Sequence, residues 1–247
     1  MMITIYEQEN QLFEKWKKEF TNNGDSDFCC DGLIFNGELC NNSYNAESGS
    51  QEDLWREADR KILFFMKEPN DNADEDYRKW GLEGDTKHPF FRFIYSWLVA
   101  LSNINAEDQE VPQMTKTFPK QLPLLIVNAK KKSGGASAND NVVYHFAEQY
   151  KHLLRAQFDI YAPNIIVCGG GPTNAANEVL LLRIVKDLIY PDVKFTQMEN
   201  SNWIWYSVEK NIVLINSFHP VSRETNDNKF NTLVDHYQSF LRLKLIK

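Results

Sequence analysis

KILFFMKEPND, residues 61–71, is the stretch from which the chain is best read. Five large apolar residues in a row, Ile62, Leu63, Phe64, Phe65 and Met66, leave no polar alternation, so the run reads as a short strand buried on both faces. Pro69 cannot donate to a ladder and restricts the residue before it, so the strand stops there. Glu68 therefore stands where a buried strand breaks into a loop. In an open parallel sheet, that rim is where ligands bind.

The same event recurs three times along the chain. Residues 122–127 (LPLLIV) end in Asn128, then Ala129, Lys130, Lys131 and Lys132. Residues 164–168 (NIIVC) end in Gly169, Gly170 and Gly171, and residues 211–217 (NIVLINS) end in Phe218, His219 and Pro220. Four runs thus deliver a carboxylate, an amide, a glycine loop and an imidazole to one edge of one sheet.

Helical patterns lie around these runs. Residues 7–20 place Leu12, Phe13, Trp16 and Phe20 on one face. Pro89 fits the first turn of a helix that continues through residues 90–101, apolar all round. Residues 141–159 read as one long helix, 175–188 as another, and 229–243 as an amphipathic closing helix. Residues 28–35 read as a short extended piece, and residues 193–197 and 203–208 as an added hairpin or edge. Residues 41–51 and 103–120 read as loops. Strands alternating with helices predict a parallel sheet covered on both faces. The organisation expected is one α/β domain over residues 1–247, with residues 1–60 an N-terminal extension packed on it.

Composition narrows the class. A net charge of −7 counts against a broad DNA-coating surface, though not against a local basic groove. The 16 Phe, 10 Tyr and 6 Trp supply aromatic rings for the core and for stacking on flat ligands. Cys29, Cys30, Cys40 and Cys168 match no zinc-ligand spacing, so free thiols are expected and no metal. No charged-then-apolar leader opens the sequence and no apolar run approaches membrane-spanning length, so a cytoplasmic chain with no membrane partner is expected.

Each motif has a functional and an ordinary reading. Glu68 is a general base or electrostatic stabiliser at a strand end, or a cap beside a turn proline. The convergence of four strand ends favours function. Asn128 offers a donor and an acceptor in one plane, suited to the edge of a nucleobase, or it is a turn residue. Lys130, Lys131 and Lys132 beside Gly134 and Gly135 could clamp DNA phosphates, but a solvated charge run is the better reading of three lysines alone. The triple glycine departs from the dinucleotide spacing, with Asn174 where a third glycine belongs, and reads first as a tight turn. Gly169 and Gly170 still allow close approach of a ligand. His219, held by Pro220 at a strand end, is placed to hydrogen-bond an anion forming on a leaving group.

Glu68-Pro69-Asn70, Asn128 and His219-Pro220-Val221-Ser222, in that order on those elements, resemble the uracil-DNA glycosylase superfamily, of which the chain would be a divergent member. The resemblance covers residues from 61 to the closing helix. The family's first motif usually begins with Gly, where this chain has Met66 and Lys67, and Val221 interrupts its usual His-Pro-Ser. The four cysteines do not match the iron–sulfur branches. The resemblance implies a three-layer α/β/α fold on a central four-stranded parallel sheet, in the order 2-1-3-4. It implies hydrolysis of the N-glycosidic bond of uracil or a related damaged base in DNA, without cofactor, by a monomer. Glu68 and His219 would be catalytic, with Asn128 reading the base. Pro69, Asn70, Gly169 and Gly170 would line the site, Trp80 or Phe90 would stack on the base, and Ser222 and Arg223 would grip phosphate or wedge the duplex. The alternative is a non-catalytic module on the same fold that holds nucleic acid or a free base.

Overall fold

The computed structural model describes residues 3–36, 51–70, 75–79, 88–110, 112–115, 117–135, 137–170 and 179–246. Trp80, Cys40, Gly171, most of residues 41–51 and the first turn of the helix expected at 175–188 lie outside them.

The apolar run after Lys61 is strand β2 (Ile62–Met66), buried at every position. Its side chains alternate between two cores. Leu63 and Phe65 join one, and Ile62, Phe64 and Met66 join the other. That is why a strand with no polar alternation is stable here: both of its faces meet helices.

β3 (Leu125–Asn128), β4 (Ile165–Cys168) and β7 (Ile212–Asn216) lie parallel with it, each fully buried. Short antiparallel pieces extend the sheet on both sides. β1 (Gly32–Leu33) pairs with β3, and β6 (Ile204–Ser207) pairs with both β7 and β5 (Thr196–Gln197). The described sheet therefore has seven strands in the order β1-β3-β2-β4-β7-β6-β5. It is mixed, where the sequence led us to expect four parallel strands. The two outermost strands, of two residues each, fall within residues 28–35 and 193–197, which the sequence reads as an extended piece and as part of an added hairpin or edge.

Helices cover both faces. α1 (Ile5–Asn23), α2 (Gln51–Glu57), α4 (Asp140–Gln149), α5 (Lys151–Tyr161) and α6 (Leu180–Arg183) contribute to the core that contains Leu63 and Phe65. α3 (Pro89–Asn103) and α7 (Asn226–Arg242) contribute to the other. α1 begins with a capping box between Thr4 and Glu7 and ends at Gly24, left-handed at φ 73°. Its inward face is Leu12, Phe13, Trp16 and Phe20, with Ile5 and Glu9. Trp55 of α2 donates its indole N–H to the Tyr161 carbonyl at 3.0 Å. The first sixty residues thus contribute two helices and a sheet strand to the domain's own core.

Two helices differ from expectation. Residues 141–159 are not one helix: α4 and α5 meet at Tyr150, whose backbone leaves the helical region (φ −107°, ψ 20°). No glycine or proline marks the break. The Tyr150 hydroxyl donates to Asp25 at 2.6 Å and accepts from Asn23 at 3.1 Å, while its ring packs 5.2 Å from Trp16 and 4.8 Å from Phe146. Tertiary contacts with the end of α1 override local helix propensity there. α6 continues as a wider turn, Ile184–Ile189, in which Tyr190 N–H returns to the Val185 carbonyl at 2.8 Å.

Candidate active site

Parallel pairing puts the carboxyl ends of β2, β3, β4 and β7 on one rim. The register pairs Met66 with Asn128, Phe65 with Cys168, and Cys168 with Asn216. Pairing of the β2 and β3 chains continues past the strands. Ala129 N–H donates to the Met66 carbonyl at 2.8 Å, Lys130 N–H to that of Lys67 at 2.9 Å, and Gly134 N–H to that of Pro69 at 2.9 Å. The two loops run side by side, so residues 130–134 lie over the Glu68-Pro69 corner.

This zipping explains the state of Glu68. Its carboxylate receives the Lys130 ammonium at 2.6 Å, and the two side chains are only 7% and 10% exposed. Gly134 stands directly against the carboxylate, since a Cβ there would collide with Glu68 Oε1, Cδ and Oε2. A bare glycine is what lets the loop close over the acid.

Lys131 is not a surface charge. It is fully buried, its ammonium on Asp31, and burial holds it below its ordinary pKa while Asp31 opposes that shift. Neither a solvated run nor a phosphate clamp describes Lys130 or Lys131, because both ammoniums are spent on buried carboxylates. Lys132 remains part-exposed, 3.7 Å from Asp25. Asn128, 7% exposed, donates its side-chain Nδ2 to Asp31 at 3.0 Å and its backbone N–H to the same oxygen at 2.8 Å.

His219 lies beyond β7, two strand spacings (about 10 Å) across the sheet from the line of β2. Its ring sits 6.1 Å from that of Phe90, so Phe90 and His219 do come together. Burial, then the nearby ammoniums of Lys67 and Lys229, push its pKa down to about 4. The imidazole is therefore neutral at pH 7. Nδ1 accepts from Val221 N–H at 3.3 Å, which leaves the proton on Nε2. Ser222 N–H returns to the His219 carbonyl at 2.9 Å, and Lys229 donates to the carbonyls of Pro220 at 3.0 Å and Ser222 at 3.2 Å. The residues after His219 thus form a tight turn clamped from α7. Ser222 Oγ is buried with no partner among the described residues.

The remaining positions are less tied. Asn70 and Arg223 are exposed and Pro69 is buried. Gly169 closes against Met66, and a Cβ there would meet its sulfur at 2.6 Å. Gly170 backs the Lys67 stem, a Cβ there lying 3.4 Å from Cε, and Lys67 reaches across to Asp140 at 2.6 Å. Asp31, Lys67 and Lys229 were not singled out by sequence reasoning. Asp31 lies 97 and 100 residues from Asn128 and Lys131, whereas Lys229 meets carbonyls only nine and seven residues back; neither it nor Lys67 carries a motif of its own.

Two clefts are lined by residues other than these. One of about 540 Å³ is formed by residues 197–202, and one of about 510 Å³ lies between α1 and α5 beside His152. Among the described residues there is no cluster of potential metal ligands, and no helix is long and apolar enough to cross a membrane. No protein-family model matches the chain, and no curated protein matches it.

Proposed function

We propose that the chain is a uracil-DNA glycosylase-like hydrolase that cleaves the N-glycosidic bond of uracil or a related damaged base in DNA. The observation that carries this reading is His219. It is a half-buried, neutral imidazole with its one proton on Nε2, standing beside an aromatic ring at the rim formed by the parallel strands of the mixed sheet. Breaking a glycosidic bond leaves an anion on the departing base. A pre-aimed neutral donor in a desolvated site stabilises that anion more in the transition state than in the ground state. The parallel order β3-β2-β4-β7 further supports a glycosylase-like sheet, lengthened here by antiparallel edges.

In this reading the target nucleotide leaves the stack and meets Phe90, while Asn128 bonds its Watson–Crick edge. Glu68 orients water and stabilises the sugar cation. Contact with phosphate falls to Lys132 and Arg223, since Lys130 and Lys131 are engaged. The chemistry proposed requires no metal.

A second reading is a non-catalytic module that holds a base or a nucleic acid strand. The Glu68–Lys130 pair beneath Gly134 favours it, because a neutralised, covered carboxylate must be uncovered before it can direct water. Single-turnover cleavage of a single-stranded uracil oligonucleotide, followed by alkaline scission, separates the two. Product that disappears in Glu68→Gln and His219→Ala supports the hydrolase. No product at high excess of folded protein, with the oligonucleotide still bound, supports the module.

A further inference from the structure

Asp31 comes from the N-terminal sixty residues yet is bonded to the rim. It is 1% exposed. Its Oδ2 accepts from Asn128 N–H at 2.8 Å and Asn128 Nδ2 at 3.0 Å, and its Oδ1 accepts from Gln157 Nε2 at 3.0 Å and from the Lys131 ammonium. Gln157 Nε2 also reaches the Asp31 carbonyl at 3.0 Å. The next residue, Gly32, has φ +153°, and a Cβ there would collide with the Tyr161 hydroxyl and Glu9 Oε1. The backbone at this corner is therefore pinned by α1 and α5, and Asp31 with it.

A carboxylate paired with an ammonium offers only acceptors, so the amide beside it must turn its NH₂ toward it. The orientation of Asn128 is thus fixed by chemistry: Nδ2 faces Asp31 and Oδ1 faces away. No described residue donates to Oδ1, and it is not a buried orphan.

We propose that Asp31 is a positioning residue. It holds Asn128 with its carbonyl oxygen outward, so that the site takes bases with a ring N–H beside a carbonyl, such as uracil and deaminated purines. Cytosine, which presents a ring acceptor at that place, is refused. The choice of ligand rests on the glycosylase-like reading; the hold on the amide does not. A wrongly presented base edge lowers binding by roughly 5- to 150-fold.

Removing either partner alone would strand the other, so the test compares Asp31→Asn/Lys131→Met, in which both charges go, with the unmutated chain. An Asn at position 31 offers both donor and acceptor and lets Asn128 sit either way. We expect solvent exchange of the Asn128 side-chain NH₂, followed by ¹H–¹⁵N NMR, to quicken about tenfold in the double variant. We also expect the preference for uracil-containing over cytosine-containing oligonucleotides to fall by about as much. Unchanged exchange overturns the proposal. So does a fall in both affinities with their ratio preserved, which is what a merely structural role produces. In the unmutated chain, an Asn128 amide that exchanges as fast as that of exposed Asn70 overturns it without any variant. A chain with no uracil preference but a protected Asn128 amide would defeat the glycosylase reading and the base selection, and support the hold on the amide.

Discussion

His219 carries the strongest residue-level prediction. Its pKa falls from an ordinary 6.5 to about 4, so between those values the unfolded chain binds the proton that the folded chain refuses. The His219 contribution to stability is therefore complete above pH 6.5 and is lost as pH falls toward 4. The shift corresponds to about 3 kcal/mol at most. Urea unfolding at pH 7 and pH 4.5 should show this loss in the unmodified chain and a smaller one in His219→Gln. NMR of the assigned His219 imidazole should show no titration near 6.5; an inflection there would mean a solvated ring, and the proposed anion-stabilising role would lose its basis. The sequence made His219 legible because Pro220 and the apolar run before it are local signals. It hid the roles of Lys130 and Lys131. Three consecutive lysines look alike on paper, and only the partner carboxylates Glu68 and Asp31, 62 and 100 residues away, distinguish them.

At the scale of elements, α1 is fastened by charge as well as by apolar contact. Glu9 is fully buried and accepts from the Tyr161 hydroxyl, from Leu33 N–H at 2.9 Å and from Arg78 at 2.8 Å. Burial raises the Glu9 pKa, and Arg78, Tyr161 and Leu33 oppose that rise. Arg78 also binds Asp76 and lies 4.9 Å from the centre of the Phe13 ring. Removing one partner of such a pair leaves an uncompensated buried charge. Arg78→Met should therefore cost about 3–5 kcal/mol in chemical denaturation, and Glu9→Gln/Arg78→Met far less. The strands were readable because β2, β3, β4 and β7 are buried on both faces and so uniformly apolar. The break between α4 and α5 was not, because its cause is the ring and hydroxyl of Tyr150 meeting α1.

For the whole molecule, charge sets the expected mode of nucleic-acid contact. The chain carries a net charge of −7, and two lysines near the rim are committed internally. Few phosphates can then be neutralised. The dependence of oligonucleotide affinity on salt should be shallow, with a log–log slope of magnitude below about 3. A slope near 8 would overturn this expectation. Most of any affinity would come from the base itself, which fits a single-stranded or already unpaired substrate better than an intact duplex.

The Glu9–Tyr161 bond joins residues 152 positions apart, and a ribosome makes the first long before the second. Until Tyr161 emerges, α1 has no hydroxyl for its inward carboxylate and no complete α5 to pack against. Nascent chains halted before residue 161 should accordingly be cut readily by protease within residues 5–23, and chains halted well past α5 should resist. A helix that is first in order of synthesis would then be among the last to become native, and the emerging polypeptide would depend on chaperones through most of its translation.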